Sequence, residues 1–215
     1  MKRAPPRFLA LSPGDLRAGE AIQFLRHAQI ALEIGLPGLM LREPLLSDRE
    51  FLELARALAL PARAHGTWFA IHDRAHVAVD VSADALHLGF RSLRPAAARR
   101  ILPDSMALGI STHDGDEPAV FAMCDYRVHG PVFSTPSKRG LKDPIELAGV
   151  ERALQLSSVP LLAIGGLQPQ HLSNLVQLGA RGACARASIF GRADSPAQYA
   201  KAARAWVSAA KEVGP

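Results

Sequence analysis

Short apolar runs alternate with longer amphipathic ones along the whole chain. Runs rich in Val, Ile, Leu and small residues, bounded by Gly, Pro, Asp or Ser, read as strands at 7–11, 38–42, 68–73, 85–89, 106–112, 126–133, 160–165 and 182–187. Segments with helical spacing of apolar positions lie between them, at 17–34, 48–64, 74–81, 95–101, 117–123, 145–156, 169–178 and 196–211. Start and stop signals support these helices. Ser47 precedes Glu50 at capping-box spacing. Pro169 and Pro196 suit first-turn positions, and Gly35 and Gly179 suit helix ends. Strands that alternate with helices imply a parallel sheet with crossover helices, and eight of each match a single (β/α)8 TIM barrel of the α/β class spanning residues 1–215. An open doubly wound sheet is the alternative. It usually carries a glycine-rich first loop, and Ser12-Pro13-Gly14-Asp15 is not one.

Composition narrows the class. The chain has 215 residues, of which 48% are hydrophobic, enough for one full core. No apolar run approaches the roughly 20 residues that cross a membrane. The start, Met1 to Arg7, is basic but no apolar stretch follows, so no signal peptide is expected. Cys124 and Cys184 sit in or beside apolar strands and read as buried free thiols, which fits a cytoplasmic setting. The net charge of +5 comes from scattered residues, mostly Arg, and aromatics make up only 6%. A basic stripe with interleaved aromatics is missing, so nucleic acid is not an expected partner. The positive field suits small anions.

In a barrel of this kind, chemistry collects at the C-terminal strand ends. Three late strands end in small or hydroxyl residues. After the strand at 126–133 come Thr135, Ser137 and Lys138; the next ends in Gly165 and Gly166; the last runs into Ala187 and Ser188. Such residues let backbone N–H groups approach an anion, so Thr135, Ser137, Gly165, Gly166, Ala187 and Ser188 are expected to surround one phosphate. Earlier strand ends carry Arg42 and Glu43, His72 and Asp73, His87, and Ser111 with Thr112 and His113. His129 lies within an otherwise apolar strand. If alternation places it on the face of Pro131 and that face is the interior, its imidazole could shuttle a proton in the site. The alternative is a hydrogen-bonded core histidine. His72, Asp73 and His87 raise a transition-metal site as a further alternative, though no short His-x-x-x-His pairing accompanies them.

Several motifs in order resemble the thiamine phosphate synthase superfamily, which includes the synthases and a sister branch of thiazole tautomerase-like proteins. They are Leu41-Arg42-Glu43, His87-Leu88-Gly89, Gly109 to His113, Asp125-Tyr126, Gly130 to Lys138, Ala163 to Gly166 and Gly179 to Gly182. The synthases join a pyrimidine pyrophosphate to a thiazole phosphate, with magnesium on the leaving pyrophosphate. The resemblance implies that Thr135, Ser137, Gly165, Gly166, Ala187 and Ser188 hold the thiazole phosphate. It further implies that Lys138, Ser111 and Arg42 act on the other substrate and that His72 lies in the substrate pocket. The metal half departs from the pattern. Met40 and Pro44 stand where synthases have glutamine and lysine. His72 replaces an asparagine before Asp73, and Phe90-Arg91-Ser92 replaces Gln-Glu-Asp. Asp73 therefore lacks its second carboxylate, whose position is Ser92. Magnesium is expected only in a synthase. These departures point to the tautomerase-like branch: a metal-independent isomerase or regulator that binds thiazole phosphate, with His129 as the proton carrier. An active synthase and a non-catalytic ligand sensor are the alternatives. A homodimer is possible.

Overall fold

The computed structural model describes residues 2–135, 143–191 and 195–214. Eight parallel strands close into a barrel in chain order, each hydrogen-bonded to the next and β8 to β1. The strands are β1 Phe8–Leu11, β2 Gly38–Leu41, β3 Trp68–His72, β4 Ala85–Leu88, β5 Ala107–Thr112, β6 Tyr126–His129, β7 Leu161–Ile164 and β8 Gly182–Ala185. The helices are α1 Ala21–Glu33, α2 Asp48–Ala64, α3 Ala75–Asp80, α4 Pro95–Arg99, α5 Pro118–Phe121, α6 Glu146–Leu156, α7 His171–Gln177, α8 Ala187–Phe190 and α9 Pro196–Glu212. No helix among the described residues is long and apolar enough to cross a membrane.

Local chemistry sets the boundaries. Ser47 and Glu50 form the expected capping box at the start of α2, and Pro196 opens α9. Gly35 and Gly179 end their helices with positive φ. Pro169, expected in a first turn, instead lies before α7 and accepts a hydrogen bond from Leu172 N–H. The segment expected as one helix from residue 17 begins as a short 3-10 turn, Ala18–Glu20, before α1. Every strand is shorter than the apolar pattern predicts, by one or two residues except for β6, which loses four. β6 stops at His129, and Val132 and Phe133 donate instead to Ile164 O and Gly165 O as the chain runs along the end of β7. β8 stops at Ala185, and the short α8 follows where a strand was expected.

The core has two shells. Between barrel and helices pack Phe8, Leu39, Ile71, Leu86, Leu108 and Leu161 with the inner faces of the helices. Inside the barrel lie Leu9, Leu11, Met40, Trp68, Tyr126, Val128, Leu162 and Cys184 with small alanines. Both faces of every strand are thus covered, which is why the strands read as continuous apolar runs. Trp68 and Tyr126 meet edge to face at 5.5 Å and fill the barrel floor. The Tyr126 ring lies where any side chain on Gly109 would begin, so only glycine fits there. Cys124 and Cys184 are both buried free thiols, as expected. Burial pushes the Cys124 thiol up to about 11.

Candidate functional site

A cavity of about 620 Å³ opens at the C-terminal ends of the strands. Its walls differ. On one side, Thr135, Gly165, Gly166, Ala187 and Ser188 come together from the ends of β6, β7 and β8. Gly165 and Gly166 have φ of +109° and +65°. A side chain on Gly165 would begin 2.7 Å from Pro131 Cα, and one on Gly166 2.7 Å from Phe133 Cβ. These glycines therefore serve both conformation and close packing, and they bring backbone against the cavity. Ser188 accepts a hydrogen bond from the Trp206 indole at 3.3 Å, so its hydroxyl is anchored to α9. Ser137 and Lys138 lie outside the described residues.

The opposite wall is made of side chains from β2 to β5, with Arg186 beyond β8 closing the ring. Arg42 follows β2, and its neighbour Glu43, buried at the edge of the same cavity, turns to the loop after β1. The Glu43 carboxylate accepts from Gly14 N–H at 2.8 Å and from Leu16 N–H at 2.9 Å. It thereby fixes the loop after β1 and leaves Arg42 without a carboxylate partner among the described residues. Arg186 donates to Pro13 O in that loop at 3.1 Å. The point where a side chain on Gly14 would begin is 3.0 Å from Arg42 Nη1 and 3.5 Å from Arg186 Nη1, so the two guanidinium groups are near neighbours. Burial, and then the charge of Arg186, lowers the pKa of Arg42. Arg91 lines the same cavity from the loop after β4.

Between the arginines and the barrel floor lies a column of polar side chains. His87 is buried, with Nδ1 3.2 Å from the Tyr126 hydroxyl and Nε2 3.0 Å from Ser111 Oγ. His72 lines the cavity beside Gly89, with its ring 5.7 Å from that of His87. Burial, reinforced by Arg42, pushes His72 down to about 4. Burial also holds His87 well below its usual value, with His72 and Arg42 adding to the effect. Both imidazoles are neutral at pH 7. They can orient hydrogen bonds, but they add no charge.

His129 is not in this site. Tyr126 and Val128 face the barrel interior, so Arg127 and His129 face the helices. Arg127 donates to Ala153 O of α6 at 2.5 Å and stacks over Phe121 of α5 at 4.8 Å. His129 is 2% exposed and pairs through Nδ1 with Thr112 Oγ1 at 2.9 Å, on the outer face of β5. Its Nε2 lies 3.4 Å from the Asp114 carboxylate without the alignment of a hydrogen bond. The expectation of an inward imidazole rested on Pro131, which does line the cavity. Pro131 lies beyond the end of β6, where strand alternation no longer relates it to His129. His129 is a core histidine under the helix layer.

Arg186 was absent from the residues expected at the site. It follows the end of β8, where strand alternation no longer applies, so the pattern gives no signal for it. The small residues around it drew attention to the backbone instead.

The donor set tests a divalent cation. Asp73 and Ser92 both line the cavity. Ser92 Oγ accepts from Gly89 N–H at 2.7 Å, so its oxygen is committed to the loop. No group of three or more His, Cys, Asp or Glu suited to a metal occurs among the described residues. Magnesium is usually held by one or two carboxylates together with substrate phosphates. Two carboxylates line this cavity, but Glu43 is committed to the amides of Gly14 and Leu16, so Asp73 alone remains and the residues do not make a magnesium site without oxygens from a substrate.

A family profile described as thiamine monophosphate synthase matches residues 15–189. A thiamine-phosphate synthase of Moorella thermoacetica is 34% identical over 76% of this chain and 79% of its own length. One of Mycobacterium bovis is 37% identical over 82% of this chain and 80% of its own. Among solved structures, thiamine phosphate pyrophosphorylase from Pyrococcus furiosus superposes with a TM-score of 0.81 over 97% of both chains at 23% identity, a likeness of fold. With a closed eight-stranded barrel, a cavity at its C-terminal mouth and this match over most of its length, the chain belongs to the thiamine monophosphate synthase family.

Proposed function

We propose that this barrel joins a pyrimidine pyrophosphate to a thiazole phosphate and releases pyrophosphate. One observation carries the reading: a single cavity has two different walls suited to anions. The glycine and hydroxyl wall at Thr135, Gly165, Gly166, Ala187 and Ser188 suits a phosphate monoester held by backbone amides. The arginine wall at Arg42, Arg91 and Arg186 suits a second, more highly charged group. A ring isomerase acting on thiazole phosphate alone has no use for the second wall. The tautomerase-like reading makes His129 its proton carrier, and His129 faces the helices. Relatives named thiamine-phosphate synthase support the same choice.

In the proposed reaction a bond forms from the thiazole ring to a carbon of the pyrimidine substrate as the carbon–oxygen bond to pyrophosphate breaks. The departing oxygen keeps the electron pair, so the site must stabilise growing negative charge on the pyrophosphate. Arg42, which lines the cavity and has no ion pair among the described residues, can do so. His87 positions Ser111 by hydrogen bond, and Ser111 offers its hydroxyl to the pyrimidine. Neutral His72 and His87 leave the positive charge on the arginine wall. Asp73, Ser137 and Lys138 border this reaction in the family pattern. Incubation with both substrates, with and without magnesium, should yield thiamine phosphate, followed by oxidation to a fluorescent thiochrome product. Tight binding of both substrates without any product would overturn the reading.

A further inference from the structure

We propose that the pyrophosphate is held by a guanidinium cluster, Arg42, Arg91 and Arg186, in place of a protein-ligated divalent cation. The inference rests on the two-substrate reading above. Three observations support it independently. First, the cluster is positioned by the fold. Glu43 pins the loop after β1 through Gly14 and Leu16, and Arg186 is tied to Pro13 O in that same loop. Arg42 reaches the same point above Gly14. Second, Arg42 and Arg186 make no direct ion pair among the described residues, and Glu43 is occupied by backbone amides. Like charges gathered in one place are unfavourable unless an anion joins them; burial first, and then Arg186 and Arg91, lower the pKa of Arg42, with Glu43 opposing them in part. Third, the donors for a protein-built cation site are few. Ser92 Oγ is committed to Gly89 N–H and Glu43 to the amides of Gly14 and Leu16, which leaves Asp73 as the carboxylate of the cavity lining with no such bond among the described residues.

Guanidinium suits this task because its planar fork matches two phosphoryl oxygens at once and it is always charged. A pyrophosphate that brings several negative charges gains from each fork, and its charge falls on fixed groups. Arg91 is exposed on the loop after β4 and stacks near Phe90 at 5.2 Å, so it can swing onto the ligand as the others stay in place.

The test is calorimetry on the full chain with inorganic pyrophosphate, once in excess EDTA and once in excess magnesium. The expected result is binding in EDTA at least as tight as in magnesium, falling steeply with salt. Arg91→Met and Arg186→Met should each weaken it by about tenfold or more, the loss of one charged hydrogen-bond partner. Arg91→Lys and Arg186→Lys, which keep the charge and guard against misfolding, should recover part of that loss. Inorganic phosphate should bind Arg91→Met as it binds the parent, because the glycine wall is built from the ends of β6 to β8 and Arg91 stands on the loop after β4. Asp73→Asn should leave pyrophosphate binding unchanged or tighten it, since it removes a negative charge; asparagine accepts the positive φ of 68° at this position. Binding that requires magnesium and is lost in Asp73→Asn would overturn the inference and leave the two-substrate reading standing. No binding in either buffer would overturn both.

Discussion

On one side of the cavity mouth, β7 ends in Gly165 and Gly166 and β8 runs into Ala187 and Ser188. On the other, β2 to β4 end in Arg42, His72 and the loop that carries Arg91. The first wall presents backbone, and its shape is set by positive φ values and by contacts within 3 Å of absent side chains. The second presents side chains held by hydrogen bonds to one loop and to one another. A backbone wall has almost no freedom to change, because any side chain displaces Pro131 or Phe133. A side-chain wall can exchange charge for charge without moving a strand.

The contrast can be broken most severely at Gly166. Gly166→Val adds a β-branched side chain at φ +65° against Phe133 and Ser134 O. The strained backbone alone costs about 1–3 kcal/mol. Inorganic phosphate affinity should fall by about a hundredfold or more, and pyrophosphate affinity by only a few fold. Calorimetry with both anions on one sample checks this, and equal losses would mean that the walls are not separate.

A smaller effect is expected at Glu43. Glu43→Ala leaves the buried amides of Gly14 and Leu16 without acceptors, at about 1–3 kcal/mol each. The denaturation midpoint should drop accordingly. Pyrophosphate binding should weaken because the loop that seats Arg186 is loosened, whereas phosphate binding should hold. Glu43→Gln, which keeps one acceptor oxygen, should fall between the parent and the alanine variant. Unchanged stability in Glu43→Ala would show that these hydrogen bonds do not organise the wall.

The smallest effect concerns proton uptake. His87 is neutral in the folded state because burial, with His72 and Arg42, holds its pKa well below the ordinary value. The unfolded chain takes up that proton below about pH 6.5, so stability falls as the pH drops through this value. His87→Asn removes the contribution, and its melting temperature should decline less between pH 7 and pH 5 than that of the parent. An unchanged slope would mean that His87 carries no such penalty.

The fold was legible because caps and apolar runs agree along the chain. Ser47 with Glu50 and Pro196 mark helix starts, and Gly35 and Gly179 mark ends. Strand ends were less legible, since Val132 and Phe133 are as apolar as the strand before them and only the hydrogen-bond pattern shows that the ladder has stopped. The glycine wall announced itself by composition. The arginine wall did not, because Arg186 comes from the far end of the chain to meet Arg42 and nothing in their spacing signals the meeting. The face of His129 was misread for a related reason. In a barrel clad by helices both strand faces are buried, so a polar residue among apolar ones does not reveal which way it points.

The hydrogen bond from Gly89 to Ser92 carries a consequence for how far residue 92 can change. The turn after β4 is closed by an oxygen at residue 92 and by Ser92 N–H to Gly89 O at 3.1 Å. A carboxylate can accept the same bond as a hydroxyl. Aspartate and serine are then interchangeable as far as the turn is concerned, and neither choice disturbs the barrel. Residue 92 can thus change between hydroxyl and carboxylate while the turn keeps its closing bond and the barrel keeps its frame.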